Sequence, residues 1–128
     1  MSKTVLVVDD SPTMRQMVSD TLRRAGFGTV LAVNSTGVEA PGEDALARVA
    51  GQSVQLVITD FNVPVMGGLG LIERLRTLPG FRFTPILILA TEAEETRKQE
   101  GRSAGATGWI VKPFDPTRLL QVVNRLLP

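Results

Sequence analysis

Three carboxylates and one amine carry the chemistry open to this chain. Asp9 and Asp10 close the apolar run 4–10 (TVLVVDD), Asp60 closes 54–60 (VQLVITD), and Lys112 follows Gly108–Val111 directly before Pro113-Phe114. If these runs are parallel strands, the carboxylates gather at the carboxyl edge of one sheet, where open α/β folds keep their sites. Carboxylates within a few ångströms repel one another, so such a cluster persists only if some are protonated or a cation neutralises them. The chain has no Cys and no His, which excludes thiolate nucleophiles, imidazole bases, disulfides and His/Cys zinc sites. Oxygen-only ligands favour Mg²⁺ or Mn²⁺. Such an ion beside a carboxylate would also polarise an incoming phosphoryl group. Lys112 offers a point charge to a phosphoryl oxygen or to the carboxylates themselves. The blander alternatives are strand-end carboxylates that cap the next helix and an ordinary surface lysine. The third carboxylate and the strand-end place of Lys112 weigh against both.

The elements that must position these groups alternate strand and helix. Residues 5–8 and 54–60 are apolar at consecutive positions, as in strands covered by helices on both faces. Further strands are expected at 29–33, 85–90 and Gly108–Val111. Ser11 can cap a first helix with Pro12 in its first turn. Met14, Met17, Val18, Thr21, Leu22 and Ala25 form its buried stripe, and Gly26 ends it. Residues 43–50 (EDALARVA) read as a short helix, and Leu69, Leu71, Ile72, Leu75 and Leu78 mark the next. Residues 93–104 read as a polar helix weakened at Gly101 by about 1 kcal/mol relative to Ala. Asp115 and Pro116 open the last helix, with Leu119, Val122, Val123, Leu126 and Leu127 facing inward. The expected fold is α/β, a (βα)5 doubly wound parallel five-stranded sheet forming one domain over 1–128. No G-x-G-x-x-G or G-x-x-x-x-G-K-[ST] run follows the first strand, which removes the main support for nucleotide binding.

Composition narrows the partners. Fourteen basic and thirteen acidic residues leave a net charge of +1, so no basic field points to nucleic acid. No run reaches membrane-spanning length and no secretory h-region opens the chain, so a cytoplasmic protein without membrane insertion is expected.

VLVVDDSPTMRQ, TDFNVP, MGG, ILILATEA and GWIVKPF together resemble the receiver domain of bacterial two-component response regulators, most of all the stand-alone chemotaxis (CheY-like) kind. The resemblance spans essentially the whole chain. It implies a flavodoxin-like receiver fold in which Asp60 accepts phosphate from a sensor histidine kinase in a Mg²⁺-dependent step. It implies Asp10 as a direct metal ligand, Asp9 as a second acidic group acting partly through water, and Asn62 as a ligand through its backbone carbonyl. Lys112 matches the family lysine, with a cis Lys112-Pro113 bond. Trp109 stands at the switching aromatic position, although a half-buried edge-strand anchor is an equal reading. The implied partners are the kinase and a downstream protein such as a flagellar motor switch component, engaged by a monomer with no output domain of its own. Slow loss of phosphate by water attack is implied too, tuned by residues matching Asn62 and Glu92.

The chain leaves the family pattern at three places. The switch hydroxyl expected at the end of the fourth strand is Ala90, with Thr91 one residue later. A one-residue slip turns a side chain to the other face, so Thr91 substitutes only if the loop backbone adjusts. The segment between the first strand and Asp60 carries extra residues around 34–42, and Gly67-Gly68 replaces the usual Asp-Gly. Two rivals follow. A small Mg²⁺-dependent phosphohydrolase would share the strand-end Asp nucleophile, but 128 residues leave no room for a cap domain. A degenerate receiver that docks without being phosphorylated draws its support from Ala90.

Overall fold

Consecutive apolar residues do form strands here, because helices cover both faces of the sheet. The computed structural model describes residues 3–34, 46–47, 49, 51, 53–63 and 67–127. Strands β1 (Lys3–Asp9), β2 (Phe27–Asn34), β3 (Leu56–Asp60), β4 (Ile86–Ala90) and β5 (Gly108–Val111) make one parallel sheet ordered β2-β1-β3-β4-β5. This is the flavodoxin-like receiver arrangement expected from sequence. The helices are α1 (Pro12–Arg24), α2 (Gly67–Arg76), α3 (Lys98–Ala104) and α4 (Pro116–Leu126), with a 3-10 helix at Glu92–Arg97 ahead of α3. Of the short helix expected at 43–50, residues 46, 47 and 49 are helical, and the remainder lies outside the described residues. Beyond Asn34, which ends β2, the extra residues up to 42 also lie outside them.

Alternation of side chains splits the core in two. Leu6, Val8, Val57, Ile86, Ile88 and Ala90 pack with Leu71, Ile72 and Leu75 of α2. Val5, Val7, Leu56, Ile58, Leu87 and Leu89 pack with Val18 and Leu22 of α1 and Leu119, Val122 and Val123 of α4. Both faces are therefore dry, and the ends of the strands are where polar chemistry can meet water. Met14 and Met17 pack against the α1 side as core residues. Ala25 does not complete the buried stripe of α1; it is the exposed C-cap, and Gly26 follows with φ +106°.

Caps fix where the helices start. Ser11 Oγ accepts from Met14 N–H at 3.1 Å, and Asp115 Oδ1 accepts from Arg118 N–H at 2.9 Å, each just before a proline. The expected helix over 93–104 instead begins as a 3-10 turn. None of its residues 92–97 is buried, so no packed face draws the chain into α geometry. Only from Lys98 does an α-helix form, with Gly101 buried against Trp109. At the opposite end of the sheet the Arg76 guanidinium binds Thr84 O at 2.6 Å, Phe81 O at 2.7 Å and Gly105 O at 2.7 Å, tying α2 to the turns that lead into β4 and β5.

Gly67-Gly68 has a tighter role than a lost turn side chain. Gly67 has φ +78°, and a Cβ on Gly68 would sit 2.6 Å from both the Asp60 and Phe61 carbonyl oxygens. The start of α2 thus lies directly on the backbone that carries Asp60. Gly68→Ala should cost about 1–3 kcal/mol by forcing that backbone apart, read as a lowered urea midpoint. A midpoint equal to wild type would show that the contact yields freely.

Candidate functional site

The sheet order places β1 beside β3, and their register pairs Val8 with Thr59, so Asp9 and Asp60 emerge side by side. Asp10 follows on the loop. One carboxylate oxygen from each of Asp9, Asp10 and Asp60 lies within 4.8 Å of the others. The three differ in environment: Asp9 is fully buried, Asp60 is 7% exposed and Asp10 is open to water. A cavity of about 390 Å³ opens above them, lined by Asp10, Asp60, Asn62, Val63, Gly67, Thr91 and Lys112.

Lys112 reaches the cluster from the far edge of the sheet. Its N–H donates to Ala90 O at 2.7 Å, continuing the β4–β5 ladder by one residue beyond the Ala90–Val111 pair. The cis peptide bond to Pro113 follows, as expected. From there Nζ lies 2.9 Å from Asp9 Oδ2 and 3.5 Å from Asp60 Oδ2. Asp9 is held further by Ser11 N–H, which donates to Oδ1 at 2.9 Å. Burial works against the lysine's charge, but the Asp9 hydrogen bond and the charges of Asp60, Asp9 and Asp10 outweigh it and raise its pKa.

Asp60 is poised differently. Burial is the main influence and pushes its carboxyl up to about 6, against the pull of Lys112; the charges of Asp9 and Asp10 push the same way as burial. Asn62 N–H donates to Asp60 Oδ1 at 3.3 Å and favours the ionised form. This carboxylate is costly to ionise alone, and a cation beside it would remove the cost. With neither His nor Cys in the chain, the donor set fits a hard divalent ion.

The remaining expected site residues fall at the mouth. Ala90 is buried in the α2 side of the core and brings no hydroxyl to the site. Thr91 lines the cavity, but its O–H donates to Glu94 Oε1 at 2.8 Å and its N–H to the same oxygen at 2.7 Å. The other oxygen of Glu94 accepts from Asn62 Nδ2. Glu94 thus joins the site although the sequence reading passed over it. The signal was present as the capping pattern Thr91-x-x-Glu94. Glu92, expected to tune phosphate loss, is exposed in the 3-10 turn.

Trp109 is half-buried. Its ring meets Phe61 edge-on, with centroids 5.5 Å apart, and the Arg97 guanidinium lies 4.9 Å over the other ring of that pair, Phe61. A Cβ on Gly101 would come within 3.1 Å of the indole. Glycine in α3 therefore makes room for the tryptophan, at the expense of helix propensity.

A parallel doubly wound sheet with three strand-end carboxylates and a strand-end lysine defines a receiver-type phosphorelay domain. The family model of the response regulator receiver domain matches residues 5–124, and the chain belongs to this family. It is 38% identical over 124 residues to the chemotaxis protein CheY1 of Helicobacter pylori, covering 96% of this chain and 95% of that one. A chemotaxis protein CheY homolog of Campylobacter jejuni is 37% identical over 123 residues, covering 96% and 91%. Among solved structures, the chemotaxis response regulator CheY4 of Vibrio cholerae superposes with a TM-score of 0.87 at 42% identity, covering 99% of this chain and all of that one. Family membership places the chain in two-component phosphorelay signalling.

Two outcomes follow from the electrostatics. A carboxyl whose value rises from 3.8 to about 6 on folding makes the folded state bind more protons, so stability falls as pH rises through that window. In metal-free protein, Asp60→Asn should raise stability at neutral pH by about 1–2 kcal/mol, after allowance for screening at the cavity mouth, and change it little near pH 4. Urea midpoints across that range check the sign; a D60N gain that grows toward acid pH would refute it. Lys112→Met should cost about 3 kcal/mol, because it strands the buried Asp9 charge. A variant as stable as wild type would reduce Lys112 to a surface charge.

Proposed function

We propose that this chain is a receiver that takes a phosphoryl group from the phosphohistidine of a sensor kinase onto Asp60 and signals by protein contact. The observation that carries the reading is the Asp60 carboxylate itself, at the end of β3, opening into a cavity between Asp10 and Lys112. An Asp60 oxygen forms the new O–P bond as the P–N bond to the donor imidazole breaks, and the imidazole nitrogen keeps the electron pair. Lys112, 3.5 Å from Asp60 Oδ2, supplies positive charge to the phosphoryl oxygens and holds Asp9 in place. Asp9, Asp10, Asp60 and the Asn62 carbonyl would hold a divalent ion, Mg²⁺ or Mn²⁺. Bound there, the ion would neutralise charge on the transferring group. The chemotaxis relatives support a chemotaxis output; a motor-switch-like partner, a monomeric state and a cytoplasmic location are part of the same proposal.

One observation favours a second reading, in which the chain docks to a partner without being phosphorylated. The residue at the end of β4 is Ala90, and the Thr91 hydroxyl is engaged by Glu94. Incubation with a small phosphodonor and Mg²⁺, followed by intact mass, separates the two. Wild type should gain about 80 Da, one phosphoryl group, and lose it on chelation of the metal during loading. Asp60→Asn should remove the adduct, and Asp10→Asn should weaken Mg²⁺ binding more than Asp9→Asn, measured by calorimetry. An unmodified wild type with intact Mg²⁺ binding would favour the docking reading, and a D60N adduct of equal yield would move the acceptor elsewhere.

A further inference from the structure

Three donors at the mouth of the Asp60 cavity, the Asn62 side-chain amide and the Thr91 N–H and O–H, are already satisfied by a single group. Asn62 Nδ2 donates to one oxygen of Glu94, while Thr91 N–H and O–H donate to the other at 2.7 and 2.8 Å. Asn62 follows β3 and Glu94 follows β4, 32 positions apart, so the carboxylate bridges the two loops that border the cavity. We propose that Glu94 is a built-in competing anion, which occupies donors that a phosphoryl group on Asp60 would otherwise recruit. This inference rests on the phosphoacceptor reading above and extends it to a residue that controls access.

Charge and compliance both favour the exchange. A phosphoryl group brings up to two negative charges and three strong acceptor oxygens into the cavity. Glu94 is repelled by that charge, and Thr91 and Asn62 gain more from the doubly charged acceptor than from a carboxylate. The segment that carries Glu94 yields easily. It is a 3-10 turn with no buried residue, and 3-10 hydrogen bonds have poorer geometry than α-helical ones. When the carboxylate leaves, the Thr91 hydroxyl is freed toward the cavity it lines, and the tie between Asn62 and the 3-10 turn is broken. Further along the same turn, Arg97 lies over Phe61, which meets Trp109 edge-on. Release of Glu94 therefore reaches the tryptophan through two ring contacts.

The test is binding of beryllofluoride, a phosphoryl stand-in, in the presence of Mg²⁺, read by Trp109 emission and by calorimetry. Glu94→Ala should lower the half-saturating concentration roughly 3- to 10-fold, the scale of one net hydrogen bond. Glu94→Gln, which keeps an acceptor and the turn geometry but loses the charge, should give part of that gain. In a Thr91→Ala background the gain from E94A should shrink, because one of the sequestered donors is already gone. Wild-type affinity in both Glu94 variants, or weaker binding in both, would overturn the competitor while leaving the phosphoacceptor reading in place. A gain of equal size with and without Thr91 would reduce Glu94 to a bystander charge and overturn it as well. A wild type that binds no beryllofluoride and takes no phosphoryl group would bring down the phosphoacceptor reading, and the competitor with it.

Discussion

The ion pair between Lys112 and the fully buried Asp9 is the constraint from which the site takes its shape. A carboxylate with no exposure persists only when paired and hydrogen-bonded, and here Lys112 Nζ at 2.9 Å and Ser11 N–H at 2.9 Å supply the partners. The pair spans the sheet from β5 to β1. It therefore fixes the ammonium above β3, where its second contact is Asp60 at 3.5 Å. Asp9 is compensated inside the protein, whereas Asp60 is compensated only in part. Burial raises the Asp60 pKa, Lys112 offsets it only in part, and a further cation would relieve it.

Polar chemistry sits at the strand ends because nowhere else is free for it. Both faces of the sheet are sealed by helices, with Leu, Ile and Val filling the strand interiors. Gly68 brings α2 onto the Asp60 and Phe61 carbonyls, and the Phe61 N–H continues the ladder to Leu89 O at 2.8 Å. The Asp60 carboxylate thus stands on backbone held from two sides, while the loop after β4 opposite it is joined to Asn62 through the Glu94 side chain. One wall of the cavity is thus packed backbone, and the facing wall belongs to a 3-10 turn with no buried residue.

The Ala90-Thr91 order shows how a departure from the family pattern is absorbed. Ala90 fills a core position, and Thr91 lies past the end of the strand, on the wall of the cavity. Extended backbone at Thr91 turns its N–H and O–H together toward Glu94. The hydroxyl is near the site but committed elsewhere, so its contribution depends on a competition between two anions. Position along the strand does not set it.

The sequence by itself determined the parallel α/β fold, the strand-end carboxylates, the caps at Ser11 and Asp115 and the place of Lys112. These are encoded locally: apolar runs of strand length, capping side chains before prolines, and charges at the point where each run stops. It also pointed to one polar helix over 93–104, since polar helix-forming residues read alike whether or not a face has something to pack against, and 92–97 has no buried residue. Only the tertiary structure decided which carboxylate is buried, because that depends on Lys112 crossing from β5 to β1. The same holds for Gly101, whose reason is the Trp109 ring, and for Glu94, whose second partner lies 32 residues away. Spacing along a chain predicts faces and ends of elements; long-range hydrogen bonds and burial arise from how those elements meet.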